Sequence, residues 1–185
     1  TKAIILAASR GVELGDLTLH QPKAMIPING RPILLHIADA YREAGVKDLT
    51  VIRGYKKEAI KLTGIKVVDN DDFSTTQEVY SLYQAAKELE GSCVISYGDV
   101  LFKKHLVTEL LESKADFAVM VDTNWKDSRN KGRTADFVIC SEPLSKKSFL
   151  STVTLKEFVA SIDGPTIHGE WMGVLRASSA GAAIL

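Results

Sequence analysis

The apolar stretch Ala3–Leu6 is too uniform for a half-exposed strand and predicts one buried on both faces. A segment of small and polar residues from Ala7 to Asn29 follows and reads as a long functional loop. Ile33, Leu34, Ile37, Ala38 and Tyr41 then recur at helical spacing up to Gly45, with Pro32 expected at the first helical position. Short apolar runs at Leu49–Arg53, Ile65–Val68, Val94–Tyr97 and Phe117–Val121 predict further strands, and helical patterns at Lys56–Leu62, Val79–Leu89 and Leu106–Leu111 separate them. On Val79–Leu89 the buried face is expected to carry Val79, Leu82, Tyr83, Ala86 and Leu89, so at least one of Tyr80 and Tyr83 should pack in the core.

Strands alternating with helices predict an α/β protein: a three-layer, Rossmann-like arrangement around a mostly parallel sheet. In such sheets ligands sit beyond the carboxyl ends of the strands. After Asp122 the pattern changes. Asn124–Arg133 reads as a polar loop, Asp136–Ser141 and Phe149–Leu155 as later antiparallel strands, Trp171–Leu175 as a last apolar run, and Ala177–Leu185 as the start of a helix.

At 185 residues a single domain is expected. Lys+Arg and Asp+Glu balance at 23 each, which removes any global field that would recruit nucleic acid or an anionic membrane. No apolar run is long enough to span a bilayer, and Ala3–Ala8 lacks the charged flank, length and cleavage site of a secretory leader. Cys93 and Cys140 each lie within a strand-like run and read as buried, reduced thiols, so a cytoplasmic chain is expected. The four histidines lack metal-ligand spacing, and the close on Gly-Ala-Ala-Ile-Leu reads as a cut within a longer polypeptide.

The chemistry concentrates early. Ala7, Ala8, Ser9 and Gly11 follow the first strand, and their small side chains let backbone N–H groups approach a polyphosphate. The loop matches neither G-x-G-x-x-G nor G-x-x-x-x-G-K-[ST], so a dehydrogenase or P-loop reading is not supported. Pro22 stiffens the chain before Lys23, whose ammonium suits a phosphoryl group as a point charge; the alternative is a surface lysine. Asp99, after the strand-like run and Gly98, stands where Mg²⁺ is commonly held by one or two carboxylates plus substrate phosphates. It could instead cap the following helix. Asp122 occupies the equivalent place on the next strand and is the weaker metal candidate.

Leu6-Ala7-Ala8-x-x-Gly11, Leu17-Thr18, Pro22-Lys23-Ala24-Met25-Ile26-Pro27, Gly30-Arg31-Pro32-Ile33-Leu34, Gly45, Val51-Ile52-Arg53-Gly54-Tyr55 and Tyr97-Gly98-Asp99 come in an order that resembles nucleotidyltransferases of the sugar-phosphate type. The resemblance covers roughly Lys2 to Asp122. It implies that the loop from Leu6 to Gly11 wraps a nucleoside triphosphate, that Lys23 contacts phosphate, and that Asp99 binds Mg²⁺. The segment from Asn70 to Ala85 is similar to cytidylyltransferases acting on phosphocholine or phosphonates, which adds Glu78, Ser81, Tyr97 and Gly98 as nucleotide contacts. Ser96–Phe102 and Val119–Asp122 resemble a subgroup fused to phosphoenolpyruvate mutase in phosphonate biosynthesis of the fosfomycin type. The implied reaction is CMP transfer from CTP to a small phosphonate such as 2-hydroxyethylphosphonate, with a covalently fused mutase as the expected partner.

Two departures qualify this. Ser9 replaces the family's first loop glycine, and Glu13 replaces an arginine, a loss for which Arg10 and Lys23 are expected to compensate. No clear match exists for a late metal-binding aspartate; Asp122, Asp163 and Glu170 are the candidates. For the acceptor, Trp125, Arg129, Lys131, Arg133, His168 and Trp171 are the residues to test, each with a structural alternative. Rival readings are transfer to phosphocholine or a sugar 1-phosphate, and a catalytically silent nucleotide-binding domain.

Overall fold

In the computed structural model, residues 1–127, 135–146, 148, 151–160 and 166–185 are described. In chain order the regular elements are β1 (Lys2–Ala7), β2 (Pro27–Ile28), β3 (Arg31–Pro32), α1 (Ile33–Glu43), β4 (Asp48–Arg53), β5 (Lys66–Asp69), α2 (Glu78–Gln84), β6 (Cys93–Tyr97), α3 (Lys104–Glu112), β7 (Phe117–Asp122), β8 (Phe137–Cys140), β9 (Leu155–Val159), β10 (Gly169–Ala177) and α4 (Ser179–Ala182). The chain separates into two compact units, one of Thr1–Ala118 with Gly173–Leu185 and one of Val119–Met172.

The first unit is built on parallel strands in the order β5-β4-β1-β6, and the last residues of β10 run antiparallel to β6. Registers run from Lys2↔Asp48 to Ala7↔Arg53 between β1 and β4, and from Lys2↔Cys93 to Leu6↔Tyr97 between β1 and β6. Ala3, Ile4 and Ile5 are fully buried, which requires cover on both sheet faces. Ile4, Ile52, Cys93 and Ile95 pack on one face with Ala85, Leu89 and Ala182. Their strand neighbours Ile5, Val51 and Val94 point the other way. α1 and α3 pack on each other and bury Leu34, Ile37, Tyr41, Val107 and Leu110, with the Tyr41 ring edge-on to Phe102 at 5.2 Å. This is the expected α/β architecture, a mostly parallel sheet with later antiparallel strands. Because the four strands are parallel, their carboxyl ends and following loops all emerge at one edge.

Several local expectations need correction. Pro32 is not the first helical residue; it is extended and pairs with Pro27, and the helix begins at Ile33. The cause is the Asn29-Gly30 turn, both residues at positive φ, which folds β2 and β3 into a two-residue hairpin. Lys56–Leu62 forms only a single 3-10 turn, Lys57–Ala59. Ile60 leaves it extended and fully buried, its carbonyl accepting from Arg53 Nη1 at 3.0 Å.

The helix expected over Val79–Leu89 ends at Gln84 and continues as a 3-10 turn, Ala86–Leu89. Leu82 and Leu89 pack on the core as expected, but Ser81 and Ala85 join them, while Val79 (81% exposed), Tyr83 (71%) and Ala86 point to solvent. Tyr80 is also exposed, so neither tyrosine packs in the core. The polar Ser81 is drawn inward by Asn70, whose Nδ2 donates to Ser81 Oγ at 2.9 Å.

In the second unit β8 and β9 are antiparallel, with a register shift between Ile139 and Cys140, and the first residues of β10 pair with β8. The strand expected at Phe149–Leu155 lies later, at Leu155–Val159; Ser151–Thr154 is irregular, and Phe149 and Leu150 lie outside the described residues. Trp125 packs against Phe137 (ring centroids 4.8 Å) and Phe158 against Trp171 (5.6 Å). Cys93 and Cys140 are free thiols; Cys93 is buried as expected but Cys140 only partly so, because β8 lies in the smaller second unit, and burial pushes the pKa of both up. Among the described residues no helix is long and apolar enough to cross a membrane.

Candidate active site

Beyond the carboxyl ends of β1, β4, β5 and β6 lies a cleft of about 730 Å³, of the size usual for small-molecule sites. Leu6, Ala7, Ala8, Ser9, Arg10, Gly11, Lys23, Glu78, Ser81, Tyr97, Gly98 and Asp99 all line it, so residues far apart in sequence meet in one place. The convergence follows from the topology. β4 and β6 flank β1, and each runs into a glycine pressed against the chain that leaves β1. A Cβ on Gly54 would lie 2.7 Å from the Ala8 carbonyl oxygen, and one on Gly98 2.8 Å from that of Leu6. Short backbone bonds use the space that results: the Gly98 N–H donates to the Leu6 carbonyl at 2.8 Å and that of Tyr55 to Ala8 at 2.9 Å.

The loop after β1 is held from within. Gly11 has a φ of +72°, and the buried Thr18 hydroxyl donates to the carbonyls of Gly11 (3.0 Å) and Gly15 (3.2 Å). The stem of Lys23 passes directly against Gly11, where any Cβ would approach Lys23 Cδ to 2.9 Å. That contact fixes the direction of the side chain.

Lys23 Nζ then stands between two carboxylates, 2.7 Å from Asp99 Oδ2 and 2.8 Å from Glu13 Oε1. Partial burial alone would lower the lysine pKa, but the hydrogen bonds to Asp99 and Glu13 outweigh it and the net shift is upward. The ammonium is therefore charged throughout the neutral range. The hydrogen bond from Lys23 holds the Glu13 carboxyl below its ordinary value. Glu13, which breaks the family pattern, thus faces a cation rather than standing alone against phosphate. Asp99 is not a helix cap, since α3 is preceded by Lys103 in that position.

Arg10 lies over the Tyr55 ring, its guanidinium carbon 5.3 Å from the ring centroid. Its Nε is buried without a hydrogen-bond partner. An unpaired guanidinium nitrogen costs free energy unless an anion arrives to accept from it, so this cleft favours an anionic ligand.

Sequence reasoning missed part of the wall. Tyr55, Phe73, Thr76 and Gln77 also line the cleft, and Asn70 organises them from below. Only 1% exposed, Asn70 donates to Thr76 Oγ1 (3.1 Å) and Ser81 Oγ (2.9 Å) and accepts from the Asp72 N–H (3.0 Å). A buried asparagine at the end of a strand was the available signal.

The later candidates are placed elsewhere. Asp122, Trp125, His168, Glu170 and Trp171 belong to the second unit and are not among the residues lining the cleft. Asp122 Oδ1 accepts from the Asn124 N–H at 2.8 Å. His168 Nδ1 accepts from the Cys140 backbone N–H at 2.9 Å, and the His168 backbone N–H donates to the Val138 carbonyl, so this residue buttresses β8. The Trp171 N–H donates to Asp136, and Glu170 is buried opposite Phe137. Arg129, Lys131, Arg133 and Asp163 lie outside the described residues.

Comparison with known proteins identifies the family. The choline-phosphate cytidylyltransferase of Streptococcus pneumoniae strain R6 is 30% identical over 181 residues, covering 92% of this chain and 79% of that protein. The CMP-5'-(3-aminopropyl)phosphonate synthase of Streptomyces rubellomurinus is 31% identical over 126 residues, 64% of this chain but 20% of that longer protein. The solved CTP:phosphocholine cytidylyltransferase from Streptococcus pneumoniae shares the fold, with a TM-score of 0.71 at 22% identity over 99% of this chain and 73% of that one. Residues 3–144, which include every residue lining the cleft, match the family of MobA-like NTP transferase domains; the chain belongs to that family of nucleotidyltransferases.

Proposed function

We propose that this chain transfers CMP from CTP to a small phosphonate, 2-hydroxyethylphosphonate among the candidates, and releases pyrophosphate. The observation that carries the reading is the grouping of Lys23, Arg10 and Asp99 around one cleft at the end of a parallel sheet. Relatives named for CMP transfer to phosphocholine and to a phosphonate support the choice of nucleotide and acceptor class.

The acceptor's anionic oxygen forms a bond to the α-phosphorus of CTP, and the bond from that phosphorus to the bridging oxygen of pyrophosphate breaks. No general base is required, because the nucleophile is already deprotonated. The work of the protein is to hold two mutually repelling anions in line and to neutralise charge as it develops. Lys23 serves as a point charge on the triphosphate, and Arg10 supplies the Nε that lacks a protein partner. Ala7, Ala8 and Ser9 let the backbone approach the phosphates, while Glu78, Ser81, Tyr97 and Gly98 line the remainder of the cleft for the nucleoside.

The donor set also fits Mg²⁺, which is commonly held by one or two carboxylates with phosphates and water: Asp99 and Glu13 already face a common cation. When bound, Mg²⁺ would polarise the phosphate oxygens and offset the charge on the leaving pyrophosphate. Asp99 is the residue to hold it.

A second reading takes phosphocholine as the acceptor, favoured by the pneumococcal relative that aligns over 92% of this chain. Pyrophosphate release, followed with each of the four nucleoside triphosphates against 2-hydroxyethylphosphonate, 2-aminoethylphosphonate, phosphocholine and glucose 1-phosphate, separates the readings. Turnover with CTP and a phosphonate is expected. Turnover only with phosphocholine selects the second reading, and nucleotide binding without turnover on any acceptor overturns both.

A further inference from the structure

The cation between Glu13 and Asp99 is unusual in its balance. Two carboxylates share one ammonium, with oxygens 2.8 and 2.7 Å from Lys23 Nζ, and the group is left with one net negative charge. The stem of Lys23 is fixed against Gly11, so the ammonium is delivered to this point by the fold. Arg10 Nε meanwhile stands unpaired and buried in the same cleft. The cleft therefore contains two cationic groups suited to a polyanion, one of them engaged by carboxylates that suit a metal.

We infer that the Lys23 ammonium and a divalent cation compete for the same two carboxylates, Glu13 and Asp99, so that metal and nucleotide are taken up together. This rests on reading the cleft as a nucleotide and metal site. A divalent ion held by both carboxylates would stand where Lys23 Nζ stands, between Asp99 Oδ2 and Glu13 Oε1, and the two charges repel. If metal arrives alone, it turns the Lys23 ammonium out of its ion pairs with Glu13 and Asp99 and leaves a partly buried charge to find another anion. A triphosphate removes that cost by accepting the ammonium, and each ligand then raises the affinity of the other by the same factor.

Glu13 gains a role in this scheme. Mg²⁺ draws its oxygens to about 2.0–2.1 Å, closer than the ammonium does, so at least one carboxylate has to move inward. The Glu13 side chain is 57% exposed and has room to do so, whereas Asp99 is 28% exposed and lies in the turn directly after β6. Glu13 is thus the second carboxylate toward the metal and the holder of Lys23 when the metal is away.

The test is Mn²⁺ binding to the protein without nucleotide, read from the electron paramagnetic resonance signal of free Mn²⁺. Lys23→Met and Lys23→Gln remove the charge, Lys23→Arg keeps it, and the double variant Glu13→Gln/Lys23→Met removes the second carboxylate. Thermal melting confirms that each is folded, and two charge-free variants guard against one that is not. Both charge-free variants should bind Mn²⁺ about tenfold more tightly than the unmodified protein. Lys23→Arg should stay weak, and the double variant should lose most of the gain. Equal or weaker binding in the folded charge-free variants overturns the inference, as does a gain in Lys23→Arg of the same size. No turnover enters this experiment, so its failure and that of the cytidylyl-transfer assay are read separately.

Discussion

Asp69 and Asp99 make an instructive pair. Asp69 is the last residue of β5 and Asp99 lies two residues after β6, at the same edge of the first unit, and both are bound to a cation. Asp69 is gripped by Arg53 from the adjacent strand in a two-point contact, Nε to Oδ1 at 2.8 Å and Nη2 to Oδ2 at 3.1 Å. Arg53 also donates to the Ile60 carbonyl, so this pair ties one loop to the sheet. The Lys57 ammonium adds a looser contact to Asp69 at 3.4 Å, whereas Asp99 meets the Lys23 ammonium, which it shares with Glu13. A planar guanidinium clamped at two points resists exchange, whereas a point charge can be handed from carboxylate to phosphate. The two-point guanidinium clamp marks Asp69 as a structural tie, in contrast to Asp99, the aspartate proposed to act on the ligand.

The largest expected effect tests that distinction directly. Asp99→Asn and Lys23→Ala should each lower the rate of pyrophosphate release about 10²–10³-fold, the usual loss for one electrostatic contact to a transition state. Asp69→Asn should leave the rate within about threefold. Comparable losses at Asp69 and Asp99 would break the comparison.

Gly11→Ala comes next. The added Cβ would meet the Lys23 stem at 2.9 Å and force a left-handed backbone on alanine. Turnover should fall about tenfold or more through displacement of the ammonium, and stability by about 1–2 kcal/mol, measured by denaturant titration.

Asn70→Asp keeps the shape but removes both donors to Thr76 and Ser81. With about 1 kcal/mol per lost hydrogen bond, the KM for CTP should rise roughly tenfold while kcat changes little. A fall confined to kcat would show that Asn70 does not organise the nucleotide wall.

The smallest effect concerns pH. Hydrogen bonds from Arg53 hold the Asp69 carboxyl below its ordinary value, so the folded state favours the deprotonated form. That contribution is complete above the ordinary aspartate pKa and is lost as the pH falls through the lowered folded value. The stability gap between the unmodified protein and Asp69→Asn should therefore close below about pH 4. It should total less than about 1 kcal/mol, because the carboxylate is about a third exposed. A gap that persists to lower pH would mean that Asp69 acts through shape rather than charge.

Much of the cleft was legible because a parallel sheet places its chemistry just after continuous apolar runs. Ala7–Gly11 and Gly98-Asp99 each follow such a run, and both reach the cleft. What was hidden depended on tertiary closure. The pairing of Glu13 with Lys23 follows from the turn locked by Gly11 and Thr18, which no local periodicity records. On α2 hydrophobicity misled, because a hydrogen bond from Asn70 turns Ser81 inward and leaves Val79 and Tyr83 in solvent. The Asn29-Gly30 hairpin was written in the sequence, but the helical pattern beginning at Ile33 masked it. In the second unit β9 leaves Leu155 and Phe158 exposed, so its apolar residues mark the strand poorly.

The pairing of Gly173–Ala177 with β6 also bears on how the protein is made. On the ribosome β6 emerges with one edge open, and the strand that closes it is not synthesised until residues 98–172 have passed. At about 5–20 residues per second that interval is roughly 4–15 seconds, during which an apolar strand offers unpaired amides to any neighbour. The nascent chain is thus most vulnerable to aggregation after every residue lining the cleft has been translated and before the sheet beneath them is complete.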